Sequence, residues 1–335
     1  MNRETIKETV CKAGIDIGST TVKLVISDEE NRLLFGEYKR HMAHTKDALL
    51  ELLTQAAERL GDRPMQVHIT GSGALGIARS LGIPFTQEVV AVAKALKNYD
   101  PRTDVAVELG GEDAKIIYFT GGLEERMNGV CAGGTGSFID QMASLLQTDA
   151  SGLNEAAAKA KMVYPIASRC GVFAKTDIQP LINDGADRCD LAASVFQAVV
   201  NQTVSGLACG KPIKGRVAFL GGPLHFLPEL KKAFIKTLNL RPDEVIDPEN
   251  SHLFAAMGAA MSEEGTLLTI SELKEKLKAN TKIEYETKRL EPLFRNEEER
   301  QEFSLRHEQA KVHRADIKSY KGKCFLGIDA GSTTT

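Results

Sequence analysis

A hairpin pattern that occurs twice limits the folds open to this chain. In each copy an apolar strand carries an acidic residue near its end, a glycine turn follows, and a second strand returns. The first copy spans residues 13–26, and the second, about ninety residues further on, spans residues 104–119. Repetition of one hairpin at this distance predicts two related lobes that face a single cleft.

The turns of both hairpins have the chemistry of a phosphate site. Residues 18–20 (Gly-Ser-Thr) offer backbone N–H groups and hydroxyls to an oxyanion, and Asp16 is placed to hold magnesium through water. A plain β-turn looks the same when taken alone. The second copy, with Glu108 before residues 110–113, favours the functional interpretation, because a nucleotide's phosphates could be held from both sides. The sequence contains no P-loop pattern.

A third glycine turn follows the strand predicted at residues 216–220. Gly221 and Gly222 stand between this strand and a helix, where glycine lets the backbone lie flat against a base or a ribose. We therefore expect this turn to line the same cleft. His41 and His44 are expected to be solvated, and His68 to pack in the sheet.

Two cysteines stand in glycine-rich or apolar surroundings before predicted helices. Cys131 lies in residues 128–140 (NGVCAGGTGSFID), and Cys170 lies in residues 168–173 (SRCGVF). Two thiolates could hold half of an iron–sulfur cluster, which usually takes four, with a second copy of the chain supplying the rest. The alternative is that both are small buried residues, since free cysteine is among the most buried types.

Bulk composition describes an ordinary globular protein. The 335 residues are 42% hydrophobic and 26% charged, with a net charge of −3 and a pI near 6.2. Nothing in this balance indicates binding to nucleic acid or to a membrane surface. Six cysteines in a long chain without an apolar leader argue against a disulfide framework and favour the cytoplasm.

The character of the sequence changes after residue 262. Residues 263–322 are dense in Lys, Glu and Arg and are predicted to form a charged linker. Residues 323–334 (KCFLGIDAGSTT) then repeat residues 10–21 (VCKAGIDIGSTT). Residues 323–335 are therefore interpreted as the truncated start of a second copy of the domain at residues 12–262.

These motifs resemble those of the BadF/BadG/BcrA/BcrD ATPase family, the activators of 2-hydroxyacyl-CoA dehydratases and related subunits of benzoyl-CoA reductase. The resemblance rests on residues 14–21, 108–115 and 218–224 and on the two cysteine segments, and covers roughly residues 12–262. The glycine turns alone indicate only the broader sugar-kinase/actin superfamily. The cysteine segments make the resemblance specific.

The resemblance implies an α/β fold of two ribonuclease-H-like lobes with ATP in the cleft between them. Lobe I would comprise about residues 12–100 plus 250–262, and lobe II about residues 101–249. ATP hydrolysis would drive single-electron transfer from a 4Fe–4S cluster, shared by a homodimer or by two tandem domains, to a dehydratase or related reductase. A ferredoxin or flavodoxin would be the donor.

Family roles can be carried over to individual residues. They are Asp16, Gly18, Ser19 and Thr20 for phosphate and magnesium, Gly110, Gly111 and Asp113 for the second phosphate loop, Gly221 and Gly222 for adenosine, and Cys131 and Cys170 for the cluster. The sequence departs from the family pattern at Glu108, where Asp is usual, and at Glu112, where Gln is usual. Both departures bear on metal geometry and hydrolysis rate, although the longer carboxylate of Glu108 could still reach magnesium or the attacking water.

Two other classes of function share the phosphate turns. A sugar-kinase-like phosphotransferase would need a catalytic aspartate beside a sugar pocket, for which no candidate stands out. A nucleotide-dependent regulator without redox activity would bind ATP and contain no cluster.

Overall fold

The computed structural model describes residues 10–129, 133–167, 171–279, 290–331 and 334–335. The chain divides into a large unit, residues 1–281, and a small unit, residues 282–335. The strands of the large unit are β1 (Cys11–Ile17), β2 (Thr21–Ser27), β3 (Leu33–Arg40), β4 (Pro64–Thr70), β5 (Val105–Leu109), β6 (Ala114–Tyr118), β7 (Glu124–Met127), β8 (Val217–Leu220), β9 (Val245–Ile246) and β10 (Thr266–Thr269).

Helices follow these strands singly or in groups along the chain. They are α1 (Thr45–Leu60), α2 (Leu75–Leu81), α3 (Glu88–Tyr99), α4 (Gly136–Leu145), α5 (Ala150–Ala157), α6 (Gly171–Asn183), α7 (Arg188–Ala208), α8 (Gly222–Phe226), α9 (Pro228–Thr237), α10 (Phe254–Ala260) and α11 (Ile270–Ala279), with α12 (Glu297–Glu308) in the small unit. Two 3₁₀ turns, Pro242–Glu244 and Ser251–Leu253, precede β9 and α10.

The large unit is an α/β fold with two ribonuclease-H-like lobes, as the sequence predicts. The first sheet has the order β3-β2-β1-β4-β10, and the second has the order β7-β6-β5-β8-β9. In each sheet an antiparallel hairpin leads into a parallel strand: β1 pairs with β2 and β4, and β5 pairs with β6 and β8. The repeated hairpins therefore occupy equivalent places in the two lobes.

Helix α10 lies between the two sheets. Ala256 and Ala260 pack with Val25 of the first sheet, whereas Phe254 and Ala255 pack with residues of the second. The approach is close, because a β-carbon on Gly14 of β1 would lie 1.9 Å from the backbone oxygen of Ala256. Only glycine fits at residue 14, and the strand can therefore pass directly under the helix.

The folded unit continues past residue 262, where the sequence predicts a linker. Strand β10 pairs antiparallel with β4, and α11 packs on the first lobe. Leu268, Ile270, Leu273 and Leu277 are all buried there. The charged residues of this segment occupy the solvent face of an amphipathic helix, so a high charge content does not exclude burial of the opposite face.

Helix α6 contains Pro180, a residue that usually kinks or breaks a helix. The helix runs unbroken from Gly171 to Asn183 with the proline inside it. Proline lacks the N–H that would bond the carbonyl of Thr176. Both residues are exposed, so water can satisfy that carbonyl and the helix continues.

The small unit contains one helix among its described residues, α12, capped by the side chain of Asn296. Residues 323–331 and 334–335 form no strand. They do keep the turn of the repeated motif: the N–H of Gly331 donates to the oxygen of Thr334 at 2.8 Å, as Gly18 does to Thr21 at 2.9 Å.

Candidate nucleotide cleft

Each lobe brings one acid–lysine pair to the cleft. In the first sheet Asp16 is the cross-strand partner of Lys23, and in the second Glu108 is the partner of Lys115. Lys23 Nζ lies 2.6 Å from Asp16 Oδ2, and Lys115 Nζ lies 3.9 Å from Glu108 Oε2. The two lysines follow their acids at the same interval, so the repeat extends beyond the glycine turns.

A fifth charged group, Glu88 at the start of α3, joins the two pairs. Its carboxylate accepts a hydrogen bond from Lys115 Nζ at 2.8 Å. Burial would raise the pKa of Glu88, but Lys115 and Lys23 outweigh it and lower that pKa. Burial would lower the pKa of both lysines, but the surrounding carboxylates outweigh it and raise those pKa values. The lysines therefore stay charged inside the protein.

The other two carboxyl groups, those of Asp16 and Glu108, have raised pKa values because they are buried. Burial raises the pKa of Asp16, against the opposing attraction of Lys23. Burial also raises the pKa of Glu108 to about 7, with Lys115 opposing it. Asp16 Oδ1 and Glu108 Oε2 are buried without a hydrogen-bond partner. Buried oxygens of this kind are available to a cation or a water molecule.

The two glycine turns meet across the cleft. In each turn the N–H of the first glycine donates to the backbone oxygen of the residue three positions later. The donor–acceptor distance is 2.9 Å from Gly18 to Thr21 and 2.7 Å from Gly110 to Asp113. A β-carbon on Gly111 would lie 1.9 Å from Oγ1 of Thr20. The lobes therefore meet where the side chain of Thr20 lies against Gly111.

The third glycine turn closes another side of the cleft. Gly221 has φ +90°, and a β-carbon there would lie 2.0 Å from the backbone oxygen of Leu109. A β-carbon on Gly222 would lie 2.8 Å from the hydroxyl oxygen of Tyr38 in the other lobe. Both glycines are needed for this close approach.

These groups enclose a cavity of about 370 Å³. Its lining includes seven of the residues predicted from the sequence: Asp16, Thr20, Glu108, Gly110, Gly111, Gly221 and Gly222. Gly18, Ser19 and Asp113 are not part of that lining. Gly18 and Asp113 instead take part in the backbone hydrogen bonds that close the first and second glycine turns.

An aromatic group at the cleft was not predicted. Tyr38, Phe226 and His252 line the cavity, and ring centroids of Tyr38 and Phe226 are 5.4 Å apart. His225 stacks on His252 with centroids 3.8 Å apart. Burial lowers the pKa of both histidines, that of His252 to about 4. These rings form an aromatic cluster beside the third glycine turn, with the Tyr38 and Phe226 rings tilted by 59° to each other.

His41 is buried, contrary to the prediction that it is solvated, whereas His44 is exposed. The ring of His41 contacts the first glycine turn, with Nε2 at 3.2 Å from the carbonyl oxygen of Gly18. His68 packs in the sheet, bonded to Thr86 and to the backbone of Glu264.

The second glycine turn is tied to both flanks of the first cysteine segment. Asn128 accepts from the N–H of Ala114 at 2.7 Å and donates to the oxygen of Glu112 at 3.0 Å. On the other side, the N–H groups of Gly136 and Ser137 donate to the oxygens of Gly110 and Gly111 at 3.0 and 2.7 Å. The start of α4 is thus fixed to the turn.

Cys131 and Cys170 themselves lie outside the described residues. The helices that follow them lie close together: a β-carbon on Gly171, the first residue of α6, would lie 2.8 Å from Oε1 of Gln141 in α4. Val172 and Phe173 of α6 are exposed, at 73% and 56%. Within the described part of the chain, no group of three or more His, Cys, Asp and Glu side chains is arranged to hold a metal ion.

The fold and cleft define a two-lobed α/β protein whose lobes each contribute a glycine turn to the cleft. Residues 13–262 match the BadF/BadG/BcrA/BcrD ATPase family, and the chain belongs to that family. None of the helices in the described residues is long and apolar enough to cross a membrane.

Individual relatives agree with this assignment. The chain is 29% identical over 216 residues to the (R)-2-hydroxyglutaryl-CoA dehydratase activating ATPase of Acidaminococcus fermentans, covering 62% of this chain and 81% of the relative. It is 27% identical over 253 residues to the 2-hydroxyisocaproyl-CoA dehydratase activator of Clostridioides difficile, covering 74% and 92%. The crystal structure of the Acidaminococcus fermentans dehydratase component A superposes with TM-score 0.66 at 24% identity, covering 80% of this chain and 99% of that one.

Proposed function

We propose that this protein uses ATP hydrolysis to drive single-electron transfer to a 2-hydroxyacyl-CoA dehydratase or a related iron–sulfur reductase. The observation that carries the proposal is the contact between two phosphate-type turns, each beside a buried carboxylate, in a member of an ATPase family. The relatives named above as dehydratase activators support the acceptor.

The nucleotide's phosphates would bind between the two turns, and its adenosine against Gly221 and Gly222. Asp16 is the ligand we propose for Mg²⁺, because its Oδ1 is buried without a hydrogen-bond partner. Mg²⁺ at nucleotide sites usually takes one or two carboxylates together with phosphates and water, so no preformed three-ligand group is needed. The ion would neutralise charge on the phosphates.

Glu108 is the proposed proton acceptor for the attacking water. Its pKa of about 7 suits a general base that works near neutral pH. Lys115 lies between Glu108 and Glu88 and would hold both carboxylates in place. Asp113 would keep the second turn closed through its backbone oxygen.

Cys131 and Cys170 are the proposed ligands of a 4Fe–4S cluster. When bound, such a cluster would accept and donate one electron. One chain provides two thiolates where such clusters usually take four, so we propose a homodimer or pairing with a second tandem domain. The exposed Val172 and Phe173, which follow Cys170 after one glycine, support an interface at this place, because adjacent large apolar side chains on a surface favour a partner. A ferredoxin or flavodoxin is the proposed donor.

The proposed link between nucleotide and cluster is the second glycine turn. Asn128 and the start of α4 both bind that turn, one on each side of residues 130–132. A displacement of the turn by phosphate would therefore move both flanks of Cys131. Asn128→Ala removes the two side-chain hydrogen bonds that tie Asn128 to the second glycine turn. We expect this variant to reduce the ATP-dependent change at the cluster more than it reduces the affinity for ATP.

The test is anaerobic purification with iron and sulfide analysis and an absorption spectrum. We expect a brown dimer with about four irons per two chains, which loses its colour in Cys131→Ala and in Cys170→Ala. Cys209→Ala is the matched control, because Cys209 is an exposed cysteine at the far end of α7.

Addition of ATP to the reduced protein should then produce electron transfer to an iron–sulfur acceptor. A colourless wild type that resists reconstitution but still binds ATP would contradict the redox proposal and leave a nucleotide-dependent regulator. An intact cluster that never delivers an electron on ATP addition would contradict the activator role.

A further inference from the structure

The buried imidazole of His41 holds the first glycine turn from outside the cleft. Its backbone N–H donates to the oxygen of Thr20 at 3.1 Å, and its ring Nε2 lies 3.2 Å from the oxygen of Gly18. One residue thus binds two carbonyl groups of the same turn. The residue is 9% exposed, so water competes little for these bonds.

The ring's hydrogen bonds define its tautomer. The N–H of Ala43 donates to Nδ1 at 3.1 Å, so Nδ1 has no proton and acts as acceptor. In a neutral imidazole the proton is then on Nε2. Nε2 therefore donates to Gly18, and the contact is a directed hydrogen bond.

The backbone after His41 is strained in a way that serves this contact. Met42 and Ala43 have φ of +45° and +66°, a left-handed conformation that residues other than glycine rarely adopt. The oxygen of His41 also accepts from the N–H of His44 at 2.6 Å. This tight turn brings the N–H of Ala43 back onto the ring, and strain of this kind persists where the surrounding structure requires it.

Fixing the Gly18 carbonyl also fixes the next N–H group. The carbonyl of Gly18 and the N–H of Ser19 belong to one planar trans peptide and point in opposite directions. With the carbonyl held by His41, the N–H of Ser19 is directed away from the histidine.

We propose that His41 is a positioning residue that presents the first glycine turn to the phosphates of the bound nucleotide. The inference rests on the proposed function, because it takes this turn to be a phosphate site. It assigns a role to a residue that is not itself part of the cavity lining.

Three variants separate positioning from folding. In His41→Gln the amide nitrogen lies as many bonds from the backbone as Nε2, so the bond to Gly18 can form again. In His41→Asn the side chain reaches only as far as Nδ1, so it can accept from Ala43 but cannot reach Gly18. His44→Asn is the control, because the same change is made at an exposed histidine three residues away.

The measurement is the dissociation constant of MgATP and of adenosine for each variant by calorimetric titration, with thermal unfolding recorded in parallel. We expect His41→Asn to bind MgATP about tenfold more weakly, to bind adenosine unchanged, and to be rescued by His41→Gln. Equal weakening of MgATP and adenosine, or no recovery in His41→Gln, would overturn the proposal. Wild type that binds no MgATP would refute the proposed function instead, and the two failures are thus distinguished.

Discussion

Arg40 and Asp140 form a two-bond ion pair between the lobes. Arg40 Nη1 lies 2.6 Å from Asp140 Oδ2, and Nη2 lies 3.2 Å from Oδ1. Arg40 ends β3, Asp140 lies in α4, and both line the cavity. The hydrogen bond to Asp140 raises the pKa of Arg40. Two lobes that touch at their glycine turns are therefore also joined by opposite charges.

Breaking this ion pair should speed the release of bound nucleotide. Arg40→Gln is expected to raise the dissociation rate by up to about fivefold, because an exposed pair is worth about 0.2–1 kcal/mol. Stopped-flow displacement of a fluorescent ATP analogue measures this rate. Arg59→Gln is the control, since Arg59 pairs with Glu37 within the first lobe at 2.9 Å. Identical rates in the two variants would show that the Arg40 pair does not restrain the lobes.

Glu108 should make the stability of the protein depend on pH. Its pKa is raised from 4.5 to about 7 in the folded state, so the folded protein keeps a proton that the unfolded chain has already lost. The stability of the wild type relative to Glu108→Gln is therefore highest below pH 4.5. It falls as the pH rises and Glu108 in the folded protein loses its proton near pH 7. Glu108→Gln should therefore gain stability relative to wild type, on the order of 3 kcal/mol, between pH 4.5 and 8.

Urea unfolding of both proteins at several pH values measures this change. Glu112→Gln is the matched control, because Glu112 is exposed in the same turn and should show no such trend. A constant difference between Glu108→Gln and wild type across the pH range would contradict a protonated Glu108 in the fold.

A methyl group on Gly111 should separate the glycine turns. Its carbon would lie 1.9 Å from Thr20 Oγ1 and 2.8 Å from Cγ2, so the lobes must move apart. Overpacking of this kind typically costs 1–3 kcal/mol, and we expect Gly111→Ala to lower the free energy of unfolding by about that much and to weaken MgATP binding. In Gly129→Ala the added carbon meets no described atom within 4 Å. Equal behaviour of the two variants would refute the contact.

Removing β10 and α11 should unfold the first lobe. A chain that ends at residue 262 loses four buried apolar side chains, each worth roughly 1.5–3 kcal/mol, and leaves an edge of β4 unpaired. We expect it to aggregate, whereas a chain that ends at residue 281 keeps the thermal midpoint of the full chain. Size-exclusion chromatography and thermal unfolding compare the two. A soluble, stable chain ending at 262 would contradict the prediction.

The parts of the fold that depend on local pattern were predictable. Apolar strands, glycine turns and their repetition are visible in the sequence, and the structure brings the predicted turns of both lobes together. Lys23 and Lys115 were missed, although each follows its acid, Asp16 or Glu108, at the same interval. Comparing the repeats beyond their glycines would have found them.

Other site residues depend on packing between distant segments. Glu88 enters the cleft because α3 crosses to the second lobe, and Tyr38 meets Gly222 only after both lobes have folded. No local pattern contains that information. The cluster ligands Cys131 and Cys170 stay a prediction, since they lie outside the described residues. The prediction of a linker was wrong for residues 266–279. It rested on the charged residues, whereas Leu273 and Leu277 on the opposite face of the helix are buried.

The position of α10 between the two sheets determines how the protein comes apart. One helix completes the packing of both lobes, through Ala256 and Ala260 on one side and Phe254 and Ala255 on the other. If α10 leaves, apolar side chains of both lobes lose their cover, so we expect the two lobes to unfold together. Heating should therefore melt the large unit in one cooperative step, with equal calorimetric and van't Hoff enthalpies.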